Sequence, residues 1–249
     1  MFMVQLDVNS IRRYVSEMKN PDKLLKGCEK FHEMEPRDII YLVARKIILE
    51  NPNSEYHILA GVEVLVLTWN AVYLQRQPEK VRRMLENDIL EAYRAVKDDF
   101  DFFRDEKFES IDLKDPIIIS RIKRIFKAFA GRRSIESTGA SKAIHLINPE
   151  LLMMWDNGIR RNYHKLHPFY RIKSESLEEC YVEFMKTMQD VAKSILEQKT
   201  IEEIRQIYHD RIYSRDPKLM DVFSQATMES LPKMLDECNY VRFKQEIDF

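Results

Sequence analysis

One stretch, Thr138 to Tyr163 (TGASKAIHLINPELLMMWDNGIRRNY), gathers most of the residues that could do chemistry. A glycine at 139 is followed by Ser141 and Lys142. An apolar helix face and an Asn148-Pro149 turn come next, and the buried-looking run Leu151–Trp155 then stops at a lone carboxylate, Asp156. Arg160 and Arg161 follow at once. One amine, one carboxylate and paired guanidiniums beside a tight bend suit a nucleic-acid site: the cations meet phosphate and the carboxylate opens the second helix.

The spacing predicts helices to carry these groups. Asn9-Ser10 is read as the cap of a helix over 11–18, Asn20-Pro21-Asp22 as the start of a second, and Glu35-Pro36 as the start of a third. Ser54 opens a long apolar helix over 56–74, wide enough in its apolar surface to sit centrally. Residues 79–98 read as one charged amphipathic helix and 98–113 as an acidic, aromatic connection. From Pro116, Ile118, Ile119, Ile122, Ile125, Phe126 and Phe129 share a face opposite Arg121, Lys123, Arg124 and Lys127, until Gly131 ends the helix. Helices over 177–196, 201–213, 218–230 and 234–243 complete the chain. No run alternates for long enough to make a sheet, so the fold class is all-α with few or no strands. The 249 residues read as one helical unit, or as two lobes: 54–135, and 136–167 packed with 1–53 and 168–249.

Composition fits this. Hydrophobic residues are 45%, charged residues 33%, and only five are glycine, which fits a globular protein of long helices. Net charge is −1, yet residues 114–173 hold 13 Lys/Arg against 4 Asp/Glu, leaving −10 for the remainder. That basic middle is either a face for a polyanion or a surface that answers acidic neighbours within the fold. Cys28, Cys180 and Cys238 are scattered, which argues against a disulfide framework or a cysteine metal cluster and favours a reducing, cytoplasmic setting. The first ten residues lack a signal-peptide pattern, and the most apolar window (58–69) contains Glu63 and is too short to span a bilayer. His164 and His167 lack a third ligand, so no metal is expected, and no phosphate-loop, dinucleotide, nucleophile-elbow or zinc-protease signature implies a cofactor.

Three local patterns resemble the helix-hairpin-helix base-excision DNA glycosylases, the superfamily of endonuclease III and the adenine and 8-oxoguanine glycosylases. Gly139–Ala143 (GASKA) is similar to the second half of the family's hairpin; Asp156–Arg161 (DNGIRR) resembles its D-x-x-[VI]-x-R run; Leu67–Asn70 (LTWN) is like the helix start inserted near the damaged base. The match covers residues 60–167, with one hairpin glycine where the family has two and no four-cysteine cluster. It implies duplex DNA with a base lesion as partner and cleavage of an N-glycosidic bond. Asp156 would stabilise charge on the sugar, and Lys142, its pKa lowered among Arg132, Arg133 and Arg160, would be the Schiff-base nucleophile of a lyase; Ser141 in that register implies a plain glycosylase. Gly139, Ala140, Lys127, Arg132, Arg133, Arg160 and Arg161 would bind the DNA backbone, and Asn70, Trp69, Trp155 and Tyr163 the base.

Each of these residues has an ordinary alternative. Asp156 could cap its own helix, and Lys142 could be a solvated helix residue. Arg160 and Arg161 could pair with the acids near Asp98–Asp101, the tryptophans could anchor the core, and Asn70 could bond a neighbouring turn. The whole chain could be a non-catalytic helical module for DNA or a protein partner.

Overall fold

The computed structural model describes residues 6–166, 176–215 and 230–245. Among them every regular element is helical, and none is a strand. The order is α1 (Val8–Met18), α2 (Pro21–Met34), α3 (Asp38–Glu50), α4 (Glu55–Trp69), α5 (Ala71–Gln75), α6 (Glu79–Arg82), α7 (Leu85–Ala95), α8 (Lys97–Phe102), α9 (Pro116–Ala130), α10 (Glu136–Ile147) and α11 (Asn157–Tyr163). A short 3₁₀ turn (His164–Leu166), α12 (Leu177–Leu196), α13 (Ile201–Ile212), a second such turn (Tyr213–Arg215) and α14 (Leu231–Gln245) follow. The expected helix over 218–230 and His167 lie outside the described residues, apart from Ser230, which precedes α14.

Several boundaries move for local reasons. Asp7, not Asn9-Ser10, caps α1, accepting the amides of Asn9 and Ser10. The predicted single helix over 56–74 breaks at Asn70, which ends α4 and precedes α5. The predicted helix over 79–98 is divided into α6, α7 and the start of α8.

Helix α4 packs against α3, α7 and α10, and α14 lies along α2. The α2–α14 crossing is close because residue 27 is glycine: a Cβ there would lie 2.6 Å from Cys238 Sγ. Behind α11 an aromatic core closes the interior, with Phe126 and Tyr181 stacked at 4.4 Å and Trp155, Phe184 and Tyr163 around them. Burial of each such side chain contributes about 1.5–3 kcal/mol.

The basic stripe of α9 is paired with acids of the fold, although Arg124 and Lys127 keep most of their side chains exposed. Arg121 and Arg124 both grip the buried Asp99 of α8, and Lys123 and Lys127 reach Glu179 and Glu178 of α12. For this helix the cations answer acidic neighbours.

A candidate active-site cleft

The end of α4 fixes the entrance of α10. Asn70 Nδ2 donates to the Ile135 carbonyl at 3.2 Å, and Tyr73 Oη donates to the Arg133 carbonyl at 2.7 Å. Gly139 permits this approach: a Cβ there would lie 3.1 Å from Asn70 Nδ2 and 3.2 Å from Ile135 Cγ2. Glu136, first in α10, has φ 61°, a left-handed conformation costing about 1–2 kcal/mol for a non-glycine residue. Its carboxylate accepts from Ser137 Oγ (2.6 Å) and the Thr138 amide (3.1 Å). One helical turn separates Thr138 from Lys142, so both face the same way. Lys142 Nζ donates to the Trp69 carbonyl at 3.1 Å and lies 5.5 Å from the indole centroid.

Residues 151–155 then cross the interior without regular structure, and side chains supply part of their backbone's hydrogen bonding. His145 Nδ1 donates to the Leu152 carbonyl at 2.6 Å. Tyr181 Oη accepts from the Met153 amide and donates to its carbonyl, and Ser141 Oγ accepts from the Trp155 amide at 2.9 Å. This threaded run delivers Asp156 to the head of α11. Its Oδ1 accepts the amides of Gly158 (2.7 Å) and Ile159 (2.9 Å), while Oδ2 has no hydrogen-bond partner among the described residues. Asp156 is therefore both the cap of α11 and a wall of a cleft.

That cleft has a volume of about 470 Å³, within the range of small-molecule sites. Lys142, Asp156, Trp69 and Asn70 all line it, so these expected site residues converge. Helix α14 and the α2–α3 connection add Asp236, Tyr240, Glu35 and Arg37, none of which the sequence marks as a site residue. Arg37 donates to both oxygens of Glu35 (2.6 and 2.5 Å) and Tyr240 Oη donates at 2.6 Å. Burial works to raise the Glu35 pKa, but these donors outweigh it and hold it at about 2. Asp236 is the opposite case: burial pushes it up to about 7, Lys233 and Lys142 pull against that, and the charge of Asp156 adds to it. The signal in the sequence was the set Lys233, Asp236, Glu237 and Tyr240 interleaved with Met234, Leu235 and Cys238, which leaves α14 no purely polar face.

Beneath the indole lies a charged cluster sealed from solvent. Lys233 Nζ is 2.9 Å from Asp38 Oδ1 and 2.5 Å from Glu237 Oε1, and 4.6, 4.8 and 5.9 Å from the ring centroids of Phe31, Tyr41 and Trp69. His32, Asp38 and Glu237 group as three metal-ligand types would. The Lys233 ammonium already sits against both carboxylates, so the cluster reads as an ion-pair network.

Other expectations are corrected. Gly139 and Ala140 are buried inside α10, not in a hairpin turn, so they are not placed at the surface to meet a phosphate; the chain turns earlier, over 131–135. Ser141 is fully buried and bonded to the Trp155 backbone, which excludes it as a nucleophile facing substrate. Trp155 and Tyr163 are core residues, the latter donating to Asn239 Oδ1, and neither lines the cleft. Arg132 is held by Glu91 at 2.7 Å, Lys127 reaches Glu178 at 3.8 Å, and Arg160 donates to Ser137 Oγ beside the Trp155 ring. Arg133 and Arg161 are exposed and form no ion pair among the described residues; Asp99 and Asp101 are held by other cations. What surrounds Lys142 in the cleft is a carbonyl, an indole face and carboxylates, partners that suit an ammonium.

Among the described residues no helix is long and apolar enough to cross a membrane. No protein-family model, curated protein or solved structure matches the chain.

Proposed function

We propose that the cleft receives a damaged nucleotide extruded from duplex DNA and hydrolyses its N-glycosidic bond. The observation that carries this reading is the meeting of Asp156, Lys142 and Trp69 in one cavity, with Asp156 Oδ2 left without a bond among the described residues. Cleavage of such a bond leaves positive charge on the sugar, and a carboxylate held in a partly desolvated site stabilises it. The indole and Tyr73 offer a flat apolar wall for a flipped base. Arg76 at the cleft, with Arg133 and Arg161 exposed on the surface, is an unpaired cation among the described residues, available to phosphate. Extrusion costs a few kcal/mol, which these contacts must offset.

The substitution Asp156→Asn tests it, because asparagine caps a helix as well as aspartate does and removes only the charge. On duplexes carrying uracil, hypoxanthine or 8-oxoguanine, wild type is expected to release at least one base. The variant should lose roughly 10²–10³ in rate while keeping its affinity for the duplex. If wild type releases no base from any duplex, the hydrolase reading fails, and a non-catalytic helical binding module takes its place.

A further inference from the structure

Helix α14 brings a second carboxyl to the cleft. Asp236 is 5% exposed, lines the cavity with Asp156, and has neither a hydrogen bond nor an ion pair from any described residue. A polar side chain so buried and unpartnered calls for a partner from the ligand. The groups that act on it or share its cleft are Lys233, Glu237 and Tyr240 on its own helix, Asp156 at the head of α11, Lys142 and Glu136 from α10, Tyr73 and Arg76 at α5, and the Glu35–Arg37 pair.

We propose that Asp156 and Asp236 work as a carboxyl pair, Asp236 giving the departing base its proton while Asp156 stays ionised beside the sugar. This rests on the glycosidic reading of the cleft. The bond from C1′ to the base nitrogen breaks with its electron pair passing to the base, and the Asp236 proton neutralises the charge left there. Water adds to C1′ and gives a proton to Asp156; exchange with solvent then restores both carboxyls. Environment divides the roles. Two amides hold Asp156 Oδ1 and leave Oδ2 to face the cleft, whereas Asp236 has no donor among the described residues and is buried near a like charge. One carboxyl left buried without a donor, beside another whose oxygen two amides hold, is an arrangement that can divide into a proton donor and a charged partner.

The test compares leaving groups. Asp236→Asn should slow release of hypoxanthine from duplex DNA by about 10²-fold or more, the usual contribution of a general acid. It should leave release of 7-methylguanine, already cationic and in no need of a proton, roughly unchanged. The wild-type rate on hypoxanthine should fall as pH rises above neutrality, and the variant's profile should be flat there. Equal slowing of both bases overturns the proposal in favour of a structural role. A second readout is independent of turnover: carboxyl carbon NMR should show Asp236 titrating near neutral pH in wild type and at lower pH in Asp156→Asn. Titration in the ordinary carboxylate range overturns the pairing itself. Neutral titration without release of any base instead rejects the glycosidic reading, and the donor role with it.

Discussion

Lys142 Nζ donates to the Trp69 carbonyl at 3.1 Å, tying the middle of α10 to the last residue of α4 across the floor of the cleft. An ammonium bound to a carbonyl and lying over an indole is a structural clamp first, and an attacking amine only after that bond is released. Borohydride treatment with abasic duplex DNA is therefore expected to trap no covalent adduct, and base release should occur without strand cleavage. An adduct that disappears in Lys142→Gln would assign the lysine as a Schiff-base nucleophile instead.

The same clamp predicts a change in binding. Replacing Trp69 with leucine removes the flat wall and the indole bond to the Arg37 carbonyl, but leaves the Trp69 carbonyl in place. Base–aromatic stacking is worth about 1–3 kcal/mol, so affinity for a flipped-base duplex should fall roughly 5- to 150-fold. Titration against matched and lesion-bearing duplexes checks it; equal weakening on both would remove the indole from base recognition.

Gly27 sets how near α14 comes to α2. Gly27→Ala places a methyl carbon 2.6 Å from Cys238 Sγ and 3.3 Å from its Cα, so the helices must part. Overpacking of this kind costs about 1–3 kcal/mol, measurable as a lower urea midpoint. Because Asp236 and Tyr240 ride on the displaced helix, the cleft should change shape as well.

Removing Lys233 should be severe. Lys233→Met leaves Asp38 and Glu237 buried without their shared cation, which costs about 3–5 kcal/mol. Burial works to raise the Glu237 pKa, but Lys233 and His32 outweigh it and hold it low, so ionised Glu237 depends on them. A loss below about 1 kcal/mol in urea unfolding would contradict the network as described.

His145 gives the fold an acid-sensitive point. Its Nδ1 faces the Leu152 carbonyl, which only accepts, so Nδ1 carries the proton and Nε2 accepts from Tyr41 Oη at 3.0 Å. Burial pushes its pKa down to about 3, below the ordinary 6.5. The unfolded chain thus binds a proton that the folded one refuses. Stability is intact above pH 6.5 and lost as pH falls toward 3, by about 1.4 kcal/mol per pH unit from this group. Urea midpoints measured over that window should decline less steeply in His145→Gln.

Much of this was legible along the chain. The all-α class, the caps at Asn20 and Ser54, the helix from Pro116 to Gly131 and the buried 151–155 run all follow from periodicity and turn chemistry, which act between near neighbours. Asp156 and Lys142 stood out because a lone acid and amine flank an apolar segment. What local pattern misjudged was Gly139: the glycine that reads as a turn is used to let Asn70 approach a helix. Which cations stay available was likewise undecided until α9 met α8 and α12, since an arginine's partner is fixed by packing. The C-terminal helix is the clearest case. Its letters place Asp236 and Tyr240 one turn apart, but only the packing of α14 against α2 and α11 brings them into one cleft with Asp156, because a cleft belongs to contacts between segments far apart in sequence.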